Sequence, residues 1–150
     1  MFSYYAMKAL SFLICLLPHR AAMALGAGLA RLAWNFIPTR RKALAREQVM
    51  RCLNVSEAEA ERIARASSLR FGPMLMEVLR FPVMKEHMED YVTLTGAVEE
   101  VRAAVVEGRG AIFATSHSGN WELMGGAFAA AGFPLVGVAK RQSSAGMDRF

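Results

Sequence analysis

The chain opens on long apolar runs interrupted at intervals by single basic residues. Ala9–Leu17 and Ala21–Ala30 are almost wholly apolar, and Pro18 stands between them. The spacing predicts two short helices, about 3–17 and 19–36, broken at that proline. Arg40–Leu53 then reads as a basic amphipathic helix with Leu44, Val49 and Leu53 on one side. Ser56 followed three residues later by Glu59 forms a capping box, so a further helix is expected from there to about Leu79, kinked at Gly72-Pro73. Tyr91-Val-Thr-Leu-Thr alternates with β-branched residues and predicts a strand. Val98, Val101 and Val105, opposite Glu99, Glu100 and Arg102, predict a helix over Ala97–Glu107. Gly108-Arg109-Gly110 turns the chain into Ala111–Thr115, a short apolar run of the buried-strand kind. A polar loop, Ser116–Asn120, leads into a helix from Trp121 to about Ala131 and a last apolar strand, Pro134–Ala139. Strand alternating with helix predicts an α/β fold with a mainly parallel, helix-flanked sheet. The expected organisation is thus residues 1–46 as basic hydrophobic helices and 47–150 as an α/β domain.

Composition sharpens this picture at the N-terminus. At 54% hydrophobic and 21% charged, the 150-residue chain is no disordered polypeptide. No acidic residue precedes Glu47, whereas Lys8, Arg20, Arg31, Arg40, Arg41, Lys42 and Arg46 do. The net charge of +5 therefore belongs to the first third alone. A basic end of this kind faces a polyanion. The apolar runs between the cations fit an anionic membrane surface and would be wasted on nucleic acid. A signal peptide is disfavoured by the basic residues that follow the apolar run. A single spanning helix over Ala9–Ala30 has the length but carries Pro18, His19 and Arg20 at its centre, where an arginine costs roughly 2.5–3.5 kcal/mol. Two helices lying in the interface with snorkelling cations are the favoured reading.

The chemistry is expected at the carboxyl end of the central apolar run, at Ser116-His-Ser-Gly-Asn-Trp-Glu122. His117 stands on the loop and Glu122 in the first turn of the next helix, with a bend at Gly119 and Asn120 as N-cap. A carboxylate on one imidazole nitrogen would fix the tautomer, leaving the other to take a proton from a hydroxyl. A histidine beside a helix cap is also compatible with a purely structural role. Ser118 lacks the flanking glycines of a hydrolase elbow, since Ser116 and Asn120 stand there. Zinc ligation is not expected, because His19 and His87 are isolated and Cys15 and Cys52 have no CxxC partner. Gly26-Ala-Gly28 follows no strand and is better explained by helix packing than as a dinucleotide loop.

Taken together, Gly96, Gly108-Arg109-Gly110, the apolar run and His117-Ser-Gly-Asn-Trp-Glu122 resemble the lauroyl/myristoyl acyltransferases of lipid A biosynthesis. These belong to the lysophospholipid and glycerolipid acyltransferase superfamily, whose hallmark is His, four residues, then Asp or Glu. The resemblance extends to the basic N-terminus and to Ser56-Glu-Ala-Glu. It implies a sheet of the glycerolipid acyltransferase type. It also implies transfer of a fatty acyl chain from an acyl carrier protein or CoA thioester to a hydroxyl of a lipid A precursor or lysolipid. The place would be the cytoplasmic face of the inner membrane, reached by peripheral or single-pass association. His117 would be the general base and Glu122 its orienting partner, with no metal and no organic cofactor. Ser118, Gly119, Asn120 and Trp121 would line the substrate site, and Lys140-Arg141 occupies the place of a basic clamp for an anionic group. Relative to that family the chain stops early, at Met147-Asp-Arg-Phe150. It therefore reads as an N-terminal half, with a second chain as a source of the rest. A non-catalytic membrane-binding remnant is the alternative.

Overall fold

The computed structural model describes residues 2–137, which form six α-helices, a 3₁₀ turn and extended connections. They fall into two compact units: Leu17–Glu77, and the chain that precedes and follows it.

In the Leu17–Glu77 unit, α2 (His19–Phe36) and α3 (Thr39–Leu53) both begin directly after a proline in extended conformation. Pro18 (φ −56°, ψ 147°) and Pro38 (φ −55°, ψ 136°) supply no N–H and press the preceding residue out of the helical region. Ile37, at φ −66° and ψ 126°, shows that effect. The end of α3 is set by Asn54 in the left-handed region at φ 52°, a conformation its short polar side chain tolerates. The helix α4 (Glu57–Met84) starts as its capping signal predicts: the Ser56 hydroxyl accepts from the N–H of Glu59 at 3.3 Å. Glu57 and Glu59 complement the positive end of the helix dipole. Arg46 of α3 reaches Glu57 at 3.1 Å and Glu61 at 3.9 Å, tying the two helices together. In addition, Arg62 donates to Glu59 and holds its carboxyl below the usual carboxylate range.

The crossing of α2 with α4 rests on two glycines. A Cβ on Gly26 would lie 2.6 Å from the carbonyl oxygen of Gly72. One on Gly72 would meet Ala30 Cβ at 2.7 Å, with the Gly26 carbonyl nearer still. The backbones therefore touch where only hydrogen atoms fit between them. Gly72-Pro73, where a kink was expected, lies within the helix Glu57–Met84. The helix-packing reading of Gly26 holds, while Gly28 has nothing near it.

In the second unit, α1 (Phe2–Cys15) packs on the end of α4 through buried polar contacts. The Ser11 hydroxyl donates to Leu79 O at 2.6 Å, and Arg80 Nη1 donates to Ile14 O at 3.0 Å. Arg80 is buried, and its guanidinium serves one of the last carbonyls of α1, which have no partner within their own helix. Beyond α4 comes the 3₁₀ turn Lys85–Asp90, then α5 (Val98–Val106) and α6 (Trp121–Ala130). Met84 and Met88 form a buried cluster with Leu123 and Ala127 of α6, covered by Phe81, Val92 and Leu94.

The expected sheet is absent: the described residues contain no strand. Tyr91–Thr95, Ala111–Thr115 and 134–137 are irregular or extended without a ladder, and residues 138 and 139 of the third expected strand lie outside the described part. β-Branched alternation and apolar runs report that a segment suits extended backbone and burial. Whether it joins a sheet depends on a partner of the same kind alongside, and here the neighbours are helices. Val92 and Leu94 pack on the methionine cluster, whereas Ile112 is fully exposed where a buried strand was expected. An α/β reading is therefore replaced by an all-helical one for these residues.

Candidate active site

The candidate site lies at the start of α6. Gly119 takes φ 65°, which turns the chain back after the loop, and Asn120 caps the helix by accepting from Leu123 N–H at 3.1 Å. Both features were legible in Ser116-His-Ser-Gly-Asn-Trp-Glu. His117 is exposed, and its ring rests on the indole of Trp121, with centroids 4.6 Å apart and planes inclined by 53°. Ser118 and Gly119 are exposed beside it, and Asn120 is half-buried. Glu122 is exposed in the first turn of α6, and no hydrogen bond or ion pair joins it to His117.

The run before His117 is held by a second aromatic contact. Phe113 lies on Phe128, the centroids 4.8 Å apart and the planes inclined by 48°. Phe128 in turn meets Phe133 edge-on at 5.5 Å, and the Arg102 guanidinium of α5 stands 4.8 Å above the Phe133 ring. Sequence reasoning passed over Phe113 and Phe128. The signal for them was the seven-residue spacing of Trp121 and Phe128, which puts two aromatics on one helix face.

His117 thus stands in the loop ahead of α6 and Glu122 five residues later in its first turn, with four residues between them. The chain belongs to the bacterial lipid A biosynthesis acyltransferase family, whose family model matches residues 1–150. No curated protein and no solved structure matches the chain. Membership in this acyltransferase family supports acyl transfer as the class of chemistry.

Elsewhere in this acyltransferase-family chain, a cavity of about 330 Å³ opens between the chain after α4 and the far end of α6. Met88, Val92, Leu94, Ala127, Ala130 and Ala131 line it, with Glu89 and Thr93 its polar members. It is separate from the His117 loop, which lies at the opposite end of the same helix. Among the described residues, no three His, Cys, Asp or Glu side chains gather in a group able to hold a metal. Lys140 and Arg141, the expected anionic-group clamp, lie outside the described residues.

Proposed function

We propose that the chain transfers a fatty acyl group from the thioester of an acyl carrier protein or CoA to a hydroxyl of a lipid A precursor or lysolipid. The observation that carries this reading is His117, exposed at the mouth of α6 with Trp121 behind it and Glu122 in the first turn, in a chain of the acyltransferase family. The imidazole takes the proton of the acceptor hydroxyl as its oxygen attacks the thioester carbonyl. An ester C–O bond forms, the C–S bond breaks, and the thiolate leaves with the proton that His117 returns. Glu122 makes no bond to His117 in this structure and takes the role of orienting partner once the loop draws the imidazole toward it. The first-turn N–H groups of α6 favour the oxyanion. Ser118, Gly119 and Asn120 shape the approach to the base.

The acceptor is a membrane lipid, and the surface of the chain suits that interface. In α1 and the turn after it, Phe2, Tyr5, Phe12, Leu13 and Leu16 are all exposed and share one helical face. Ser11 and Ile14 are buried on the opposite face. Helix α2 presents its own exposed stripe of Leu25, Leu29, Leu32 and Phe36. No helix among the described residues is long and apolar enough to cross a membrane. Such stripes, with arginines nearby, suit helices lying in the headgroup region at the cytoplasmic face of the inner membrane.

Two measurements test the reading. The chain should transfer labelled acyl groups from a carrier thioester to a lysolipid or lipid A precursor; absence of transfer would refute the activity. In sedimentation with vesicles containing anionic lipid, Phe12→Glu combined with Leu16→Glu should weaken binding at least tenfold, and high salt should weaken the unaltered chain. Both residues are about two-thirds exposed, so the substitutions leave the packed face of α1 intact. Unchanged sedimentation would remove the interfacial role of α1.

A further inference from the structure

The segment that carries His117 has no ladder of backbone hydrogen bonds to hold it. Residues 111–119 are exposed throughout, and Thr115 bonds only to its neighbour, its hydroxyl donating to the Ser116 carbonyl at 3.3 Å. The segment nevertheless meets α6 at two points. Phe113 lies on Phe128 with centroids 4.8 Å apart, and His117 lies on Trp121 with centroids 4.6 Å apart.

The two contacts share one register. Trp121 and Phe128 are seven residues apart in α6, nearly two full turns, so they face the same side about 10.5 Å from each other. Phe113 and His117 are four residues apart, which in extended chain spans about 13 Å. The earlier residue of the segment meets the later residue of the helix, so the segment runs antiparallel to α6 along its aromatic face. The match of spans lets both contacts form at once. Phe128 is itself buttressed by Phe133, over which Arg102 sits.

We propose that Trp121 and Phe128 are a two-point aromatic clamp that positions His117 for proton transfer. They are positioning residues: Trp121 sets the place of the imidazole directly, and Phe128 does so from four residues upstream of it by anchoring Phe113. This inference rests on His117 being the base. General-base efficiency depends on placing the nitrogen within hydrogen-bond reach of the hydroxyl, and a displacement of about 1 Å can cost about a hundredfold in rate.

The test uses the whole chain and two readouts. In ¹H–¹³C NMR, the His117 ring protons should be displaced by the indole ring current. That displacement should vanish in Trp121→Leu and shrink in Phe128→Leu. In the acyl-transfer assay, both variants should lower kcat about tenfold or more, with KM within about twofold. Trp121→Phe and Phe128→Tyr, which keep a ring in place, should restore most of kcat and guard against a variant that fails to fold. His117 resonances and kcat unchanged in Phe128→Leu would overturn the clamp. An unaltered chain without acyl transfer would refute the proposed function, whereas the NMR arm would still judge whether the clamp exists.

Discussion

His117→Ala is expected to lower acyl transfer by about 10²–10⁴-fold, the usual contribution of a general base. The acceptor hydroxyl is a poor nucleophile until its proton has somewhere to go. Of the three histidines, His117 alone stands on the loop at the mouth of α6 with its ring exposed against an aromatic face. Glu122→Ala should also be damaging but by a smaller factor, because under the proposed mechanism it removes the orienting carboxylate and leaves the base. Neither substitution touches the apolar stripe of α1, so vesicle binding should stay at its original level in both. The measurement is the initial rate of transfer from a carrier thioester to a lipid acceptor, with sedimentation on the same preparations. Full activity in His117→Ala would remove the catalytic reading of the motif.

Gly72→Val should have the largest effect on stability. The α2–α4 crossing brings the Gly72 backbone against Gly26 and Ala30, and a side chain there would meet main-chain atoms that cannot swing aside. Overpacking costs about 1–3 kcal/mol even where neighbours can adjust. With rigid backbone on the far side, the loss should reach at least the top of that range. That is a large part of the total stability of about 5–15 kcal/mol typical of a domain. Gly28→Ala is the internal contrast. Gly28 lies in the same α2 as Gly26, yet an added Cβ there would meet nothing within 4 Å. Replacing a mid-helix glycine by alanine should then stabilise by about 0.5–1 kcal/mol. Denaturant melts of the two variants check both signs. Equal behaviour of Gly72→Val and Gly28→Ala would show that the crossing does not limit stability.

Features visible in the sequence share one property, namely that their causes lie within a few residues. Pro18 and Pro38 restrict their own φ and that of the residue before, so the breaks ahead of α2 and α3 could be placed within a residue or so. Ser56 and Asn120 satisfy N–H groups three residues ahead, so the starts of α4 and α6 were legible as well. The bend at Gly119 follows from what a residue without Cβ alone adopts with ease. His117 and Glu122 could be put forward as candidates for the same reason, as a spacing within one loop and one helical turn.

What tertiary structure alone decided involves partners distant along the chain. The alternating segment 91–95 and the apolar run 111–115 carry a strand signal, but a ladder needs another strand beside them, and the neighbours turned out to be helices. Gly72, beside Pro73, is a contact surface for Gly26, forty-six residues earlier. The end of α4 ran past Leu79 to Met84 where α1 donates to the Leu79 carbonyl through Ser11 and Cys15. Trp121 and Phe128 sat on one face of α6 by spacing alone, but the extended segment that occupies that face could be found only in the folded chain. Local rules restrict a residue's own dihedrals and the nearest hydrogen bonds. Which surface lies opposite it is set by the packing of the whole chain.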